Sequence, residues 1–341
     1  MRLAIISTPV FSVPVVGYSG LEHLAWLQAK GLAALGHQVA LIAPEGSWCP
    51  GVQMIHTGPP GTWDEKKAYE SYWKTLVNFD VILDNTWQKW PYVLKQEGVL
   101  KAPVLGVCHA PINTMYQQLP PVEKPCIVCI SEDQAAHFKA LFSKDARVAY
   151  NGCDAGFYQP LGLPRSGRFL FLARFSSIKG PAMAQDVCLE TSTELDMVGD
   201  TSITNEPELL EHCKKKADGK QIHIYGNQTR GCCVWFHSQS RALIHCNKIF
   251  REPFGLSPVE SQLCGSPVLA FDFGAMRETV KHGETGFLVN SQQEMVDIIR
   301  SKALDGLSRK RCREWASQFS VERMCQRYEQ LCREAIDGGG W

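Results

Sequence analysis

The sequence predicts an α/β protein built from two Rossmann-like, doubly wound domains facing a central cleft, and three observations lead there. Short apolar runs alternate with helical patterns along the whole chain, the arrangement that builds parallel sheets covered by helices on both faces. A length of 341 residues is enough for two cores of ordinary size. A stretch rich in Pro, Gly and Arg, Pro160-Leu-Gly-Leu-Pro-Arg-Ser-Gly167, separates one series of strands from a second. The expected division is residues 1–158, residues 159–318, and a terminal helical segment, 319–341, crossing back onto the first domain.

In the first half the expected strands are Leu3–Ser7, Gln38–Ala43, Val81–Leu83, Val104–Cys108 and Ile127–Ile130, each a short apolar run bounded by polar or turn residues. The helical pattern Leu21–Leu35 stops at Gly36, which suits a C-cap, and the next strand begins within two residues. Ser131-Glu-Asp-Gln134 has the spacing of a capping box opening another helix. A turn at Tyr150-Asn-Gly-Cys-Asp154 precedes the dividing stretch. The second series then runs Arg168–Ala173, Leu195–Val198, Gln221–Tyr225, Ala242–His245, Pro267–Phe271 and Gly286–Val289. The closing helix, roughly Val321–Ile336, is amphipathic. Strand C-terminal ends, and with them ligands, are expected in the cleft.

Composition narrows the function. Lys+Arg and Asp+Glu are both 35, so no global charge draws the chain to nucleic acid or to anionic membranes. The basic cluster Arg300, Lys302, Arg309, Lys310, Arg311 and Arg313 reads as a solvated helix face, with contact to an anionic membrane or acceptor as the alternative. The 14 cysteines are scattered through apolar runs, which reads as free buried thiols in a reducing cytoplasm rather than a disulfide framework. Cys126-Ile-Val-Cys129 lacks a second ligand pair, which argues against zinc. No signal peptide and no apolar run of spanning length are evident, so a cytoplasmic location is expected.

The stretch richest in chemistry runs from Arg251 to Ser261. It holds Glu252 and Glu260 with seven residues between them. Ser257 reads as an N-cap, Pro258 as the first helical residue and Glu260 as the third. Free N–H groups and partial positive charge at such a helix start would let Phe254, Gly255 and Leu256 offer backbone donors to a phosphate or a sugar hydroxyl. Glu260 is also explained by a Ser257-x-x-Glu260 capping box alone. Glu252 has no such explanation, because a carboxylate before Pro253 in this loop must be exposed or paired. Arg174 and Lys179 follow the first strand of the second series and precede a helix, where cations are disfavoured unless an anion is bound. They read either as solvated loop cations or as a clamp on a diphosphate.

In the first half, Gly17-Tyr-Ser19-Gly20-Leu-Glu22 lets the backbone approach a ligand at a helix start, or is simply a tight turn. His109 follows Val104–Cys108 and should emerge at the C-terminal edge of the sheet, as a structural residue or as a ligand contact. Trp87 and Trp90 follow the strand that ends at Leu83 and offer a stacking surface for an acceptor, although most of the neighbouring aromatics have core spacing. There is no Asp-x-Asp of the kind that holds a metal-bound nucleotide sugar, so phosphate charge falls to Arg174, Lys179 and backbone amides.

Taken in order, these motifs resemble the retaining GT-B glycosyltransferases of family GT4 over nearly the whole length. Glu252 to Glu260, continuing through Cys264–Asp272 to Gly283–Val289, is similar to the E-x7-E signature and its trailing sequence. Gly17–Gly20, His109, Asn151-Gly-Cys-Asp154 and Arg174…Lys179-Gly180 are similar to the family's other motifs. The resemblance implies transfer of a hexose from a nucleotide-diphosphate sugar, UDP-sugar before GDP-sugar, to a small-molecule or glycan acceptor, with the anomeric configuration retained and neither metal nor cofactor.

In that scheme Arg174 and Lys179 neutralise the diphosphate, Glu260 holds the ribose hydroxyls and Glu252 contacts the reacting sugar. Gly255 and Leu256 supply amides, Gly226 lies in the base-contacting segment and His109 reaches the sugar. The segment Tyr225–Trp235 departs from the family pattern where the base is read. Other outcomes for the same architecture are a sugar phosphorylase, a nucleotide-sugar epimerase, or a binding subunit without turnover.

Overall fold

The structure, a computed structural model, describes residues 1–17, 19–112, 122–201, 204, 206–338 and 340–341, so that Tyr18 of the glycine loop lies outside the described residues. One sheet contains seven parallel strands: β1 (Arg2–Ile6), β2 (Gln38–Ala43), β3 (Gln53–His56), β4 (Val81–Asp84), β5 (Val104–Cys108), β6 (Ile127–Cys129) and β7 (Arg147–Val148). Their order is β3-β2-β1-β4-β5-β6-β7. The other contains β8 (Phe169–Leu172), β9 (Leu195–Val198), β10 (Ile222–Tyr225), β11 (Leu243–His245), β12 (Val268–Phe271) and β13 (Gly286–Val289), ordered β10-β9-β8-β11-β12-β13. Among the described residues both sheets are wholly parallel and doubly wound, as the alternation of strands and helices predicts.

Central parallel strands are covered on both faces, so they read as continuous apolar runs. Ala4, Ile5 and Ile6 of β1 and Phe169 and Leu170 of β8 are fully buried. Two strands escape the sequence pattern for physical reasons. β3 is an edge strand with exposed polar ends, and β7 is two residues long. Strand order reverses between β1 and β4 in the first sheet and between β8 and β11 in the second. In doubly wound sheets ligands settle beyond the strand C-termini at that reversal.

Contacts divide the chain into two units: Met1–Val15, Ser19–Gly152 and Val321–Trp341 form one, and Val16–Tyr18 with Cys153–Ser320 the other. The final helix, Val321–Gly338, belongs to the first unit. It buries Met324, Cys325, Tyr328, Leu331, Cys332 and Ala335, the spacing of one helical stripe, and packs on the helix Leu21–Ala34. That crossing depends on Gly31, where a Cβ would collide with Cys325 Sγ. Gly36 ends Leu21–Ala34 at φ 88° and donates to Ala33 O at 2.9 Å.

The expected capping box at Ser131 forms only in half. Ser131 Oγ accepts from Gln134 N at 3.1 Å, but Gln134 Oε1 accepts from Ile130 N at 2.8 Å, one residue early.

Candidate functional site

In the second unit, β8 runs out into Arg174 and a single 3-10 turn, Ser177–Lys179, while β11 ends at His245 and leads into the loop that carries Glu252. The reversal of strand order thereby brings Lys179 and Glu252 together. Lys179 Nζ pairs with Glu252 Oε2, and the same oxygen accepts from Asn247 Nδ2 at 3.0 Å and lies 3.8 Å from His245 Nε2. Glu252 is only 9 % exposed, so the carboxylate that lacks a local explanation is buried and paired. Burial pushes its carboxyl up, but the charges of Lys179 and His245 and the hydrogen bonds from Lys179 and Asn247 prevail and hold it below the ordinary glutamate range. Burial likewise holds the His245 ring down to about 4, with Lys179 adding to the effect and Glu252 opposing it.

Lys179, read from sequence as a solvated cation or a phosphate ligand, is thus held by a carboxylate. Arg174 Nε is buried without a hydrogen-bond partner, which in a guanidinium marks capacity for an acceptor. Nearby Glu206 accepts from Ser176 Oγ at 3.0 Å and Ser177 N at 2.8 Å, tying down the turn that carries Lys179.

The helix after Glu252 corrects the sequence expectation. It spans Leu256–Leu263, with Gly255 at the N-cap in the left-handed region, φ 85°. Glycine is suited to that conformation, and it starts the helix two residues earlier than a Ser257 cap would. Ser257 instead donates from Oγ to Leu172 O at 3.1 Å, which anchors the helix start to the end of β8. Glu260 consequently sits beyond the capping position, and the capping-box explanation falls away.

Its carboxylate is 8 % exposed and faces Arg230 Nη1 at 3.9 Å and His237 Nε2 at 3.9 Å, with Tyr158 hydrogen-bonded to it. Burial raises the Glu260 carboxyl above the ordinary range, against the opposing charge of Arg230 and the bond from Tyr158. Tyr158, Arg230 and His237 are absent from the sequence-derived set, as are His245 and Asn247. Arg230 and His237 are seven apart on the helix Arg230–Gln239, the spacing of one face over two turns, and that was the available signal. Phe254 is buried with its ring edge-on to Phe319, so only its backbone is available to a ligand. Gly226, beyond β10, is exposed with open space where a Cβ would be, and Gly17 lies against Asn227.

In the first unit, Gly20 is the N-cap of Leu21–Ala34 in ordinary right-handed geometry. Ser19 and Thr8 both donate from their hydroxyls to the buried Glu22, which fixes the loop after β1. His109 Nε2 bonds Asn85 Oδ1 at 2.8 Å, and Asn85 Nδ2 donates to Gln28 Oε1 at 2.9 Å. Burial and then the charge of Lys89 push the His109 ring down to about 3, so it is neutral at physiological pH. Lys89 is itself buried, its ammonium donating to Asp84 O, Thr86 O and Val107 O. Glu65 accepts from Trp87 N at 2.8 Å and Gln88 N at 2.6 Å and is pushed by burial up to about 7.

The two tryptophans part company. Trp90 packs against the core and stacks on Tyr69 at 5.9 Å, whereas Trp87 stacks on the exposed Trp63 at 5.2 Å. Elsewhere, all 14 cysteines are free and twelve are buried, Cys126 and Cys129 among them. The basic cluster is not simply solvated. Arg309 donates to Leu163 O and Ser238 O, and Arg313 to Tyr158 O, Leu263 O and Ala155 O, so both staple the second unit. Among the described residues no helix is long and apolar enough to cross a membrane.

Comparison with known proteins defines the architecture as the two-domain GT-B fold of glycosyltransferases. Sucrose-phosphate synthase of Thermosynechococcus elongatus superposes with a TM-score of 0.81 at 19 % identity, covering 99 % of both chains. HepE of Anabaena, solved in complex with UDP-glucose, superposes with a TM-score of 0.74 at 17 % identity, covering 98 % of this chain and 100 % of the other. Residues 162–319, within the second unit, match the family model described as Glycosyl transferases group 1.

Among curated proteins, an uncharacterized 41.2 kDa protein in the cps region of Klebsiella pneumoniae is 38 % identical over 85 residues, 24 % of either chain. An uncharacterized glycosyltransferase of Methanocaldococcus jannaschii is 22 % identical over 217 residues, 62 % of this chain and 60 % of its own. The chain thus spans less than two thirds of the length of these relatives.

Proposed function

We propose that the chain is a retaining, metal-independent glycosyltransferase that moves a hexose from UDP to a small-molecule or glycan acceptor. The observation that carries this reading is the pairing of Lys179 with the buried Glu252 at the strand-order reversal of the second sheet, together with the unpartnered Nε of Arg174 just beyond β8. It lies within the segment matching Glycosyl transferases group 1, and a structure of the same fold is complexed with UDP-glucose.

On this reading Lys179 exchanges part of its bond to Glu252 for the donor diphosphate, where Arg174 joins it. Glu252, released from one partner, accepts from the hydroxyls of the sugar being transferred. Glu260 accepts from the ribose hydroxyls, and the amides of Gly255 and Leu256 serve the phosphate or sugar. The acceptor oxygen bonds the anomeric carbon as the carbon–oxygen bond to the diphosphate breaks. The leaving diphosphate takes the electron pair and then the acceptor's proton, on the face it departs from, which retains configuration. Stabilising the charge that builds on the diphosphate is the largest catalytic contribution asked of Arg174 and Lys179. His109, neutral and anchored by Asn85, serves as an uncharged hydrogen-bond partner for a hydroxyl.

A thermal-shift comparison of UDP, GDP, ADP and CDP tests the donor. At 100 times its Kd the cognate nucleotide stabilises by about 2.7 kcal/mol. Product analysis with the corresponding sugar nucleotide should then give a retained glycoside at a rate unaffected by chelator. A protein stabilised by none of the four nucleotides, or released free sugar alone with every acceptor offered, sinks the reading.

A further inference from the structure

His237 is a buried side chain without a described polar purpose. It is 0 % exposed, and neither ring nitrogen has a hydrogen-bond partner. Buried polar groups are bonded as a rule, and an orphaned one calls for an explanation. Its backbone is not loose. His237 O accepts from Ser240 Oγ at 3.1 Å and from the fully buried Ser266 Oγ at 2.5 Å, so the C-terminal turn of Arg230–Gln239 is pinned.

Across from it, Arg230 Nη1 and His237 Nε2 stand 3.9 Å from the Glu260 carboxylate, outside hydrogen-bond range. Tyr158 bridges the group: its hydroxyl accepts from Arg230 Nη1 at 3.3 Å and bonds Glu260. One helix face, Arg230 and His237, thus stands ready on two sides of a single carboxylate that is already buried.

We propose that His237 is a positioning residue for Glu260. When a vicinal diol donates to the carboxylate, His237 Nε2–H closes onto Oε2 and fixes the plane in which the two hydroxyls are accepted. The inference rests on the donor reading above and adds to it that the helix after β10 governs discrimination of ribose from deoxyribose. An apolar ring at this position would satisfy packing equally well, so packing alone does not account for an imidazole with two unused nitrogens. A hydrogen bond that forms only in the bound state accounts for it. The bond also lets the neutral imidazole share in stabilising a charge that becomes fully enclosed.

The test is calorimetric titration of wild type, His237→Gln and His237→Leu with UDP and with 2′,3′-dideoxy-UDP, together with steady-state kinetics on the UDP-sugar. His237→Leu keeps the volume and removes only nitrogens that are unbonded in the free protein, so it should fold with unchanged or higher Tm. The expected result is a UDP affinity about tenfold weaker in His237→Leu, the loss of one hydrogen bond to a charged group. Affinity for the dideoxy nucleotide should be unchanged, and His237→Gln should recover most of the loss. KM should rise with kcat within about twofold, the signature of lost uniform binding. Equal UDP affinity in all three proteins, or equal loss for UDP and the dideoxy nucleotide, overturns the role of His237 while leaving the donor reading intact. Wild type that binds neither nucleotide overturns the donor reading and this inference with it.

Discussion

Glu252 and Glu260 are both buried carboxylates on one short stretch, yet their environments pull their proton affinities in opposite directions. Glu252 is held low by Lys179, His245 and Asn247 once burial is overcome, so it stabilises the fold above the ordinary glutamate range, and that contribution is lost as pH falls through its depressed folded value. Glu260 is held high by burial, so its contribution is present below the ordinary range and lost as pH rises through the raised folded value. Glu260→Gln is therefore expected to raise Tm at pH 7 and to lose that advantage near pH 4, measured by thermal denaturation across pH.

Lys179→Ala leaves Glu252 buried and uncompensated, which costs about 3–5 kcal/mol. Urea denaturation should show that loss, and the double change Lys179→Met with Glu252→Gln should restore most of it. A Lys179→Ala protein as stable as wild type would show the pair to be dispensable. Glu252 was legible in the sequence because nothing local could satisfy it. Glu260 was legible only as an ambiguity, since the spacing from Ser257 imitates a cap. Its surroundings, Tyr158 and two residues of the helix Arg230–Gln239, are distant in sequence, and only the tertiary packing shows that Arg230 and His237 converge on it.

The helix Leu256–Leu263 shows how a single backbone conformation overrides a side-chain signal. Ser, Pro and Glu in sequence form a strong start signal, but Gly255 at φ 85° begins the helix earlier and leaves Ser257 free to bond Leu172 O. Gly255→Ala combines left-handed strain, about 1–2 kcal/mol, with overlap against Met276 Cε, where an added Cβ would lie at 2.6 Å. The Met276 methyl is the mobile end of a flexible side chain and moves aside at little cost, so the backbone strain should show as a lower urea midpoint with unchanged slope. Midpoints that coincide with wild type would mean the helix start can shift to Ser257 after all. The same logic sets what could be read of the sheets. Central strands announce themselves because they are apolar on both faces, while β3 and β7 are short or half-exposed and are recruited by neighbours.

At the scale of the molecule, two doubly wound sheets follow from the alternation of strand and helix patterns, and the number and order of strands follow from pairing that no local signal specifies. The helix Val321–Gly338 belongs to the first unit although the whole second unit precedes it in the chain. Truncation after Ser320 uncovers the stripe from Met324 to Ala335's neighbours on Leu21–Ala34. The expected outcome is a protein whose first unit is cleaved rapidly in limited proteolysis while a fragment spanning about residues 153–320 survives. Equal resistance of both units would show that the helix is not needed to complete the first.

The same interrupted connectivity has a consequence for how the protein is made. Apart from the short segment Val16–Tyr18, the second unit emerges from the ribosome as one uninterrupted run of chain, and is free to fold as soon as it is clear. The first unit emerges earlier but must wait for its last helix, and at about 5–20 residues per second that interval is on the order of 10–30 s. Through that interval the groove on Leu21–Ala34 that receives Cys325 stands open. The part of the protein synthesised first is thus the part finished last, and its nascent form is the one with most need of a chaperone.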